Sequence, residues 1–300
     1  MQEIRLKLSQ PQIDRLMFID MRLRFIGDVR RQDVVNRFGI QTAAATRDLA
    51  IYRSETDGNV TFDSKTKSYL RSTEFKPLYP GVSAEEALAW MQKRPGHTGT
   101  VGADGSVPIE VPLVRSKMDV EQLSVISRAI RAGRAVDIQY RSLTSGLTAR
   151  EVAPHALAEV GDRWHMRAFD RRNLEFRDFV IGRIVEATLS ESKVADSEKS
   201  VRDIQWNNIV TLELVPHPVN VPSPDTLQAE FEMIEGVLRV QVRAALAGYL
   251  LRRMSVDCTE RHRMRGPSYQ WWLKNRIALH GLSNFDFAPG YLMSNLKLST

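Results

Sequence analysis

With only one cysteine, Cys258, in 300 residues, an intramolecular disulfide is impossible and the chain suits a reducing compartment. No apolar run reaches the length of a membrane helix, and the opening MQEIRLKLSQ carries no apolar signal-peptide core, which sets the expectation of a cytoplasmic protein without a membrane partner. The six histidines are scattered, and neither a P-loop glycine pattern nor a Gly-x-Ser-x-Gly elbow occurs, so catalysis is not expected. Cys258 and His262 stand four apart and could share a helix face, but a structural metal site wants four ligands and no second pair is near. No metal and no cofactor is therefore expected, and nothing supplies Cys258 with a base. Internal repeats and low-complexity tracts are also missing.

What the chain does have is 43% hydrophobic residues, ample for the cores of two or three domains. Its formal charge of +6 suits a polyanionic partner without requiring one. Residues 1–80 hold 14 Lys and Arg against 10 Asp and Glu, a surplus small enough that affinity for a polyanion must come from arrangement and from pairing of copies.

The arrangement is most legible between residues 31 and 71. Val34, Val35 and Phe38 mark one helix, Gly39 breaks it, Ile40 plugs the turn, and a second helix begins near Gln41 or Thr42. Ala45, Leu49 and Tyr52 form that second helix's inner face. Gln41, Thr42, Ala43, Thr46, Arg47 and Arg53 then point outward, a short polar set suited to base edges and phosphates. Asn59–Phe62 and Ser68–Arg71 read as two strands around Asp63–Thr66, which puts Lys65 and Lys67 at a tip for backbone phosphates. Helix, turn, helix and basic hairpin in that order describe a winged helix-turn-helix that binds double-stranded DNA, although three-helix units also serve as protein contacts. Arg47, Asp48 and Leu49 are similar to the end of the recognition-helix signature of DeoR-like winged-helix regulators, with Gln41 in place of the usual Ser cap. Asp48 is expected in a structural ion pair, since phosphates would repel it.

Around this unit, residues 12–26 read as an amphipathic helix. Ser83 and Glu86 have capping-box spacing, residues 93–112 are Gly- and Pro-rich linker, and Asp119 with Gln122 caps a helix stopped by Gly133. From Ala135 the period becomes two, with strands near 135–140, 148–153, 156–160, 163–169 and 174–179 that imply a small curved sheet or barrel. Alternation puts Trp164, Met166 and Ala168 on a packing face and Arg163, His165, Arg167 and Phe169 on a cationic one. Six arginines lie between 163 and 183, a concentration suited to an anionic ligand; Arg171 and Arg172 read as plain surface. Asp162, Asp170, Glu175 and Asp178 are equally available as ion-pair partners, so spacing leaves both readings open. Residues 205–300 read as a small α/β unit with strands at 208–215 and 236–242 and helices at 225–234 and 244–254, serving dimer formation or completing a sensor pocket. Of the adjacent Trp271 and Trp272, one is expected in the core and one at an interface.

Residues 135–190 resemble a WYL domain, whose name-giving tripeptide stands here as Trp164, His165 and Met166, flanked by VDIQYRS and RDFVIGRI. With YLRSTEFKPLYP after the wing, TLELVPHP at 211–218 and FEMIEGVLRVQVRAALAGYLLRRM at 231–254, the whole chain resembles the BrxR/CapW type of regulators associated with bacterial phage-defence islands. The resemblance implies an α+β multidomain fold: a winged helix-turn-helix at 1–80, a bridging segment at 81–134, a small Sm-like WYL β-barrel at 135–192 and a ferredoxin-like extension for dimerisation at 205–300. It also implies a homodimeric repressor on a promoter inverted repeat. Its WYL domain would sense an anionic ligand, a nucleotide or nucleic acid, that relieves repression. Carried over by position, Tyr140, His165, Arg167, Arg177 and Arg183 would line the ligand pocket, with His165 standing where the family has tyrosine. A transcriptional activator, or a nucleic-acid-sensing accessory protein that modulates a partner enzyme, is the alternative.

Overall fold

The computed structural model describes residues 8–91, 107–109, 114 and 116–291. Most of the linker read at 93–112 and the first seven residues lie outside them. Two compact units divide the chain, Met1–Pro112 and Leu113–Thr300.

The first unit begins with helix α1, Gln10–Phe25, two residues ahead of the expected start. Pro11 fits the first turn, where its missing N–H costs nothing, and the Gln12 side chain accepts the Ser9 N–H at 3.1 Å. Strand β1, Asp28–Arg30, precedes helix α2, Arg31–Phe38. Gly39 ends α2 in the left-handed region at φ 62°, a conformation cheap only for glycine, and α3 follows over Thr42–Glu55. Strands β2, Val60–Asp63, and β3, Ser68–Arg71, form the wing, and β1 adds a third antiparallel strand beside β3. Three residues carry no readable period, so β1 was not anticipated. Leu16, Ile19, Leu23, Val34, Leu49 and Tyr52 build the core.

A buried carboxylate closes this unit. Asp20, 1% exposed, accepts the Tyr52 hydroxyl at 2.6 Å and the Leu78 and Tyr79 N–H groups at 2.9 and 3.1 Å, fastening the chain after the wing onto α1. Helix α4, Ala84–Met91, opens on the expected Ser83–Glu86 capping box, with bonds of 2.9 and 3.2 Å. Its Trp90 meets Phe18 edge-on at 6.3 Å, so α4 packs on the first core.

In the second unit, Asp119 caps α5, Val120–Ala132, by accepting the Glu121 and Gln122 N–H groups. Ile126 and Ala129 of α5 seal one face of a five-stranded antiparallel sheet: β4, Arg134–Ser142; β5, Gly146–Val160; β6, Arg163–Asp170; β7, Glu175–Val180; and β8, Ile184–Lys193. The two strands read at 148–153 and 156–160 are one, bent by a bulge between Pro154 and Ala156. The order β7-β6-β5-β4-β8 leaves β7 and β8 as edges, so the pairings among the described residues do not close the expected barrel. A single 3-10 turn, Ile181–Arg183, carries the chain from one edge to the other.

Downstream, Asp203 caps the short helix α6, Ile204–Asn207, through the Trp206 N–H. Strand β9, Ile209–Pro216, helix α7, Pro224–Glu230, strand β10, Leu238–Arg243, and helix α8, Ala244–Arg253, follow. Strands β11, Val256–Asp257, and β12, Trp271–Leu273, complete a sheet of order β10-β9-β12-β11. Although a helix joins β9 to β10, the two are antiparallel neighbours, and only β11 and β12 run parallel. A ferredoxin-like sheet would run the two helix-joined strands parallel with another strand between them, so the expected ferredoxin-like arrangement is not what these strands make. Trp271 is buried in the core, whereas Trp272 is half-buried and donates its Nε1–H to Thr259 at 2.9 Å.

Candidate nucleic-acid interface and sensor cavity

Helix α3 is divided by its own period. Ala45, Asp48, Leu49 and Tyr52 face inward, and Asp48, 2% exposed, meets the Arg15 guanidinium at 2.6 Å, the structural ion pair the sequence called for. Gln41, Thr42, Ala43, Thr46, Arg47 and Arg53 are all exposed. The Thr46 hydroxyl donates to the Thr42 carbonyl at 2.9 Å, which leaves its lone pairs outward as an acceptor. Arg53 lies over the Tyr69 ring at 5.9 Å and so belongs to the junction of helix and wing.

The wing tip is held by Asp63, which accepts the Lys65 N–H at 2.8 Å and the Thr66 hydroxyl at 2.7 Å. Those bonds, Thr66 first, pull its carboxyl below the ordinary range and keep it charged. Lys65 and Lys67 project from this turn, both exposed, with Lys67 in the left-handed region at φ 56°. Phe62, 51% exposed beside Tyr69, adds an apolar surface that polar patterning did not flag.

The second site is a cavity of about 660 Å³ where the β4–β8 sheet meets α8. Tyr140, His165 and Arg183 line it. Tyr140 accepts the Val180 N–H at 3.3 Å and meets Phe179 edge-on, which fixes its ring. His165 is 8% exposed, its Nδ1 has no hydrogen-bond partner, and burial lowers its pKa, so the ring is neutral at pH 7.

Two residues expected in the pocket are elsewhere. Arg177 stands opposite Ala168 in the β6–β7 ladder, so alternation sends it to the face away from Asp178 and Val180, where it pairs with Glu175 at 3.2 Å. Arg167 is on the right face but is 2% exposed, held by Asp203 at 2.7 and 3.0 Å and by Asp178 at 3.2 Å. Burial works against its charge, but Asp203 and Asp178 outweigh burial and raise its pKa. The face read as open and cationic is thus covered, and its central arginine is committed to the fold. Arg171, read as plain surface, is clamped by Glu198 at 2.7 Å and Glu151 at 2.9 Å. Of the carboxylates offered as partners, Asp162, Glu175 and Asp178 pair with Arg163, Arg177 and Arg167, while Asp170 takes Arg150.

Asp178, Tyr249, Arg252, Arg253 and Phe287 also line the cavity and were not read as site residues. Tyr249 at i with Arg252 and Arg253 at i+3 and i+4 was the available signal, one helix face carrying one ring and two guanidinia. Gly248 seats that face: a Cβ there would meet the Asn284 carbonyl oxygen at 2.0 Å, so only glycine lets α8 lie against the 3-10 turn Phe285–Phe287. Tyr249 donates to Asp178 at 3.2 Å and stacks on Phe287 at 4.6 Å. Cys258 and His262, which a helix would have brought together, lie just past strand β11 and in irregular chain, His262 packed on Trp272 at 4.2 Å.

A winged helix-turn-helix with an outward polar helix face, followed by a sheet domain and a C-terminal α/β unit around one cavity, defines the class of multidomain DNA-binding regulators. Three family models match in that order: the BrxR transcriptional regulator winged helix-turn-helix domain over residues 12–93, the WYL domain over 121–189, and the BrxR C-terminal dimerization domain over 209–279. The DNA-binding transcriptional repressor CapW of Escherichia coli is 31% identical over 274 residues, 89% of this chain and 90% of its own. CapW of Pseudomonas aeruginosa is 30% identical over 90% of this chain and 91% of its own, and CapW of Stenotrophomonas maltophilia 32% over 84% and 85%. The chain belongs to the family of CapW DNA-binding transcriptional repressors, a family of regulators and not of enzymes.

Proposed function

We propose that this protein is a homodimeric repressor that binds an inverted repeat upstream of a phage-defence operon in the cytoplasm and is released by an anionic ligand in its WYL cavity. The observation that carries the reading is the division of α3, sealed inward by Leu49, Tyr52 and the Arg15–Asp48 pair and polar outward beside a wing tipped with two lysines. Gln41, Thr42, Ala43, Thr46 and Arg47 reach into a major groove, and Lys65, Lys67 and Arg53 hold the flanking phosphates. Dimerisation through the C-terminal unit joins two modestly basic domains, so that half-sites combine through effective concentration. Tyr140, His165 and Arg183 receive the ligand, a nucleotide or nucleic acid. Release follows if the ligand favours a dimer geometry that no longer matches the half-site spacing, and its effect is bounded by its affinity difference between the two states.

Fluorescence anisotropy with a duplex from the gene's own upstream region, against a shuffled duplex over a salt series, tests this. Preference for the native sequence with steep salt weakening is expected. Lys65→Ala should weaken both duplexes alike and reduce the salt slope by about 1, whereas Arg47→Ala should narrow the gap between them. Equal, weak binding of both duplexes by the unaltered protein would refute the repressor reading.

A further inference from the structure

The cavity has two walls, and they come from different domains. Arg183 and Arg163 stand on the sheet side; Arg252 and Arg253 stand on α8, within the stretch matched by the C-terminal domain. We propose that the C-terminal domain supplies half of the ligand site, with Arg252 and Arg253 acting across the cavity from Arg183 to grip the phosphate of a nucleoside phosphate. This rests on the ligand-sensing reading above and adds the second wall and the group it grips.

Charge supplies the first reason. Arg163 is paired with Asp162 at 3.2 Å, but Arg183, Arg252 and Arg253 have no ion-pair partner among the described residues. Guanidinia facing one another across a partly enclosed space repel, and an anion between them converts that repulsion into attraction on both sides. The end of α8 is a favoured place for cations because of the helix dipole, which accounts for two arginines there but not for their lining a cavity. Guanidinium forks match phosphate oxygens bidentately, which makes phosphate the group these side chains select.

The rest of the wall describes what the phosphate is attached to. Phe287 stacks on Tyr249, at 23° between ring planes, lies under the Arg252 guanidinium at 5.9 Å and keeps 36% of its surface exposed, so a planar base would meet the ring and the guanidinium together. Asp178 already accepts from Arg167 and Tyr249, each at 3.2 Å, so it leaves the phosphate to Arg183, Arg252 and Arg253. His165 Nδ1, buried on the sheet wall without a partner, is the hydrogen-bonding group an occupant would satisfy. A volume of about 660 Å³ accommodates a mononucleotide. The same chemistry is presented by a free nucleotide and by the phosphorylated end of a single strand.

The test is isothermal titration calorimetry of the full-length protein with AMP, with a 5′-phosphorylated thymidine tetranucleotide, and with adenosine. AMP or the tetranucleotide should bind at least about tenfold more tightly than adenosine, the loss expected when charge-assisted hydrogen bonds are removed. AMP binding alone would identify a free nucleotide, and tetranucleotide binding alone a strand end. Arg183→Ala and the double variant Arg252→Ala, Arg253→Ala should each cost a further tenfold or more, and Arg252→Lys with Arg253→Lys should recover part of it, separating lost charge from lost folding. A probe whose binding falls with Arg183→Ala but not with the α8 variants would overturn the second wall while leaving the sensor reading intact. Adenosine binding as well as AMP would overturn the phosphate, and no binding by any probe would overturn both.

Discussion

Removing the carboxylate of Asp203 is the sharpest perturbation the fold offers. Asp203 is 1% exposed and holds Arg167 through two bonds and His155 through a third at 3.0 Å, while also capping α6. Asp203→Ala leaves a buried guanidinium with Asp178 as its remaining partner. Stripping one member from a buried pair costs about 3 to 5 kcal/mol, and the lost cap adds about 1. Because Asp178 stays in place, the low end applies to the pair, giving about 4 kcal/mol with the cap, which for a unit of this size lowers the melting temperature by roughly 8 to 16 °C. Scanning calorimetry of the full-length protein measures it, with Asp196→Ala as control, since Asp196 pairs with Lys199 in solvent and its loss should not move the transition. The pH dependence follows from the same site. Burial opposes the Asp203 charge, but the bonds from His155 and Arg167 outweigh burial and hold its carboxyl well below the usual range. A depressed carboxylate stabilises the fold fully above its unfolded pKa of about 3.9 and less and less as pH falls toward the native value. The Asp203→Ala deficit should therefore shrink below about pH 4. A midpoint within about 2 °C of the parent at pH 7 would refute the view that this network is a principal support of the second unit.

Other outcomes follow from buried or misplaced groups. Asp20→Asn should destabilise the first unit by about 2 kcal/mol, seen by urea denaturation, because a neutral amide cannot accept from Tyr52, Leu78 and Tyr79 as the carboxylate does. Cys258 is fully buried and burial pushes its thiol up to about 12, so Ellman's reagent should react at neutral pH only as fast as the second unit opens, accelerating with urea. Arg177→Ala should leave AMP affinity within about twofold, since the side chain lies on the opposite face from the cavity; a tenfold loss would restore it to the pocket.

Period carried the reading where one face of an element is buried and the other is not. The inward residues of α3, the Asp48 ion pair, the Ser83 and Asp119 caps and the hairpin turn at Asp63 all follow from local rules, and the structure places each of them so. Strands of two or three residues, β1, β11 and β12, have no period to read. The cavity beside α8 was only half legible because its walls are set by two domains packing together. Alternation correctly put Arg167 and His165 on one face, but no local rule says that Asp203, 36 residues away, covers that face and consumes the guanidinium. Arg177 was miscounted because clustering along the chain was read as clustering in space, although neighbours in a strand point apart.

Each of the three hydrophobic cores is assembled from its own stretch of chain, residues 8–90, 118–189 and 210–291, with no residue shared between them. During synthesis this fixes an order of appearance. The winged helix is complete while the rest of the chain is still emerging, the WYL sheet follows, and the segment matched to dimerization comes after both. A nascent copy therefore acquires its DNA-contacting surface before it has the means to pair. Under the dimeric reading it stays a weak, single-handed binder until the segment matched to dimerization, residues 209–279, has left the ribosome.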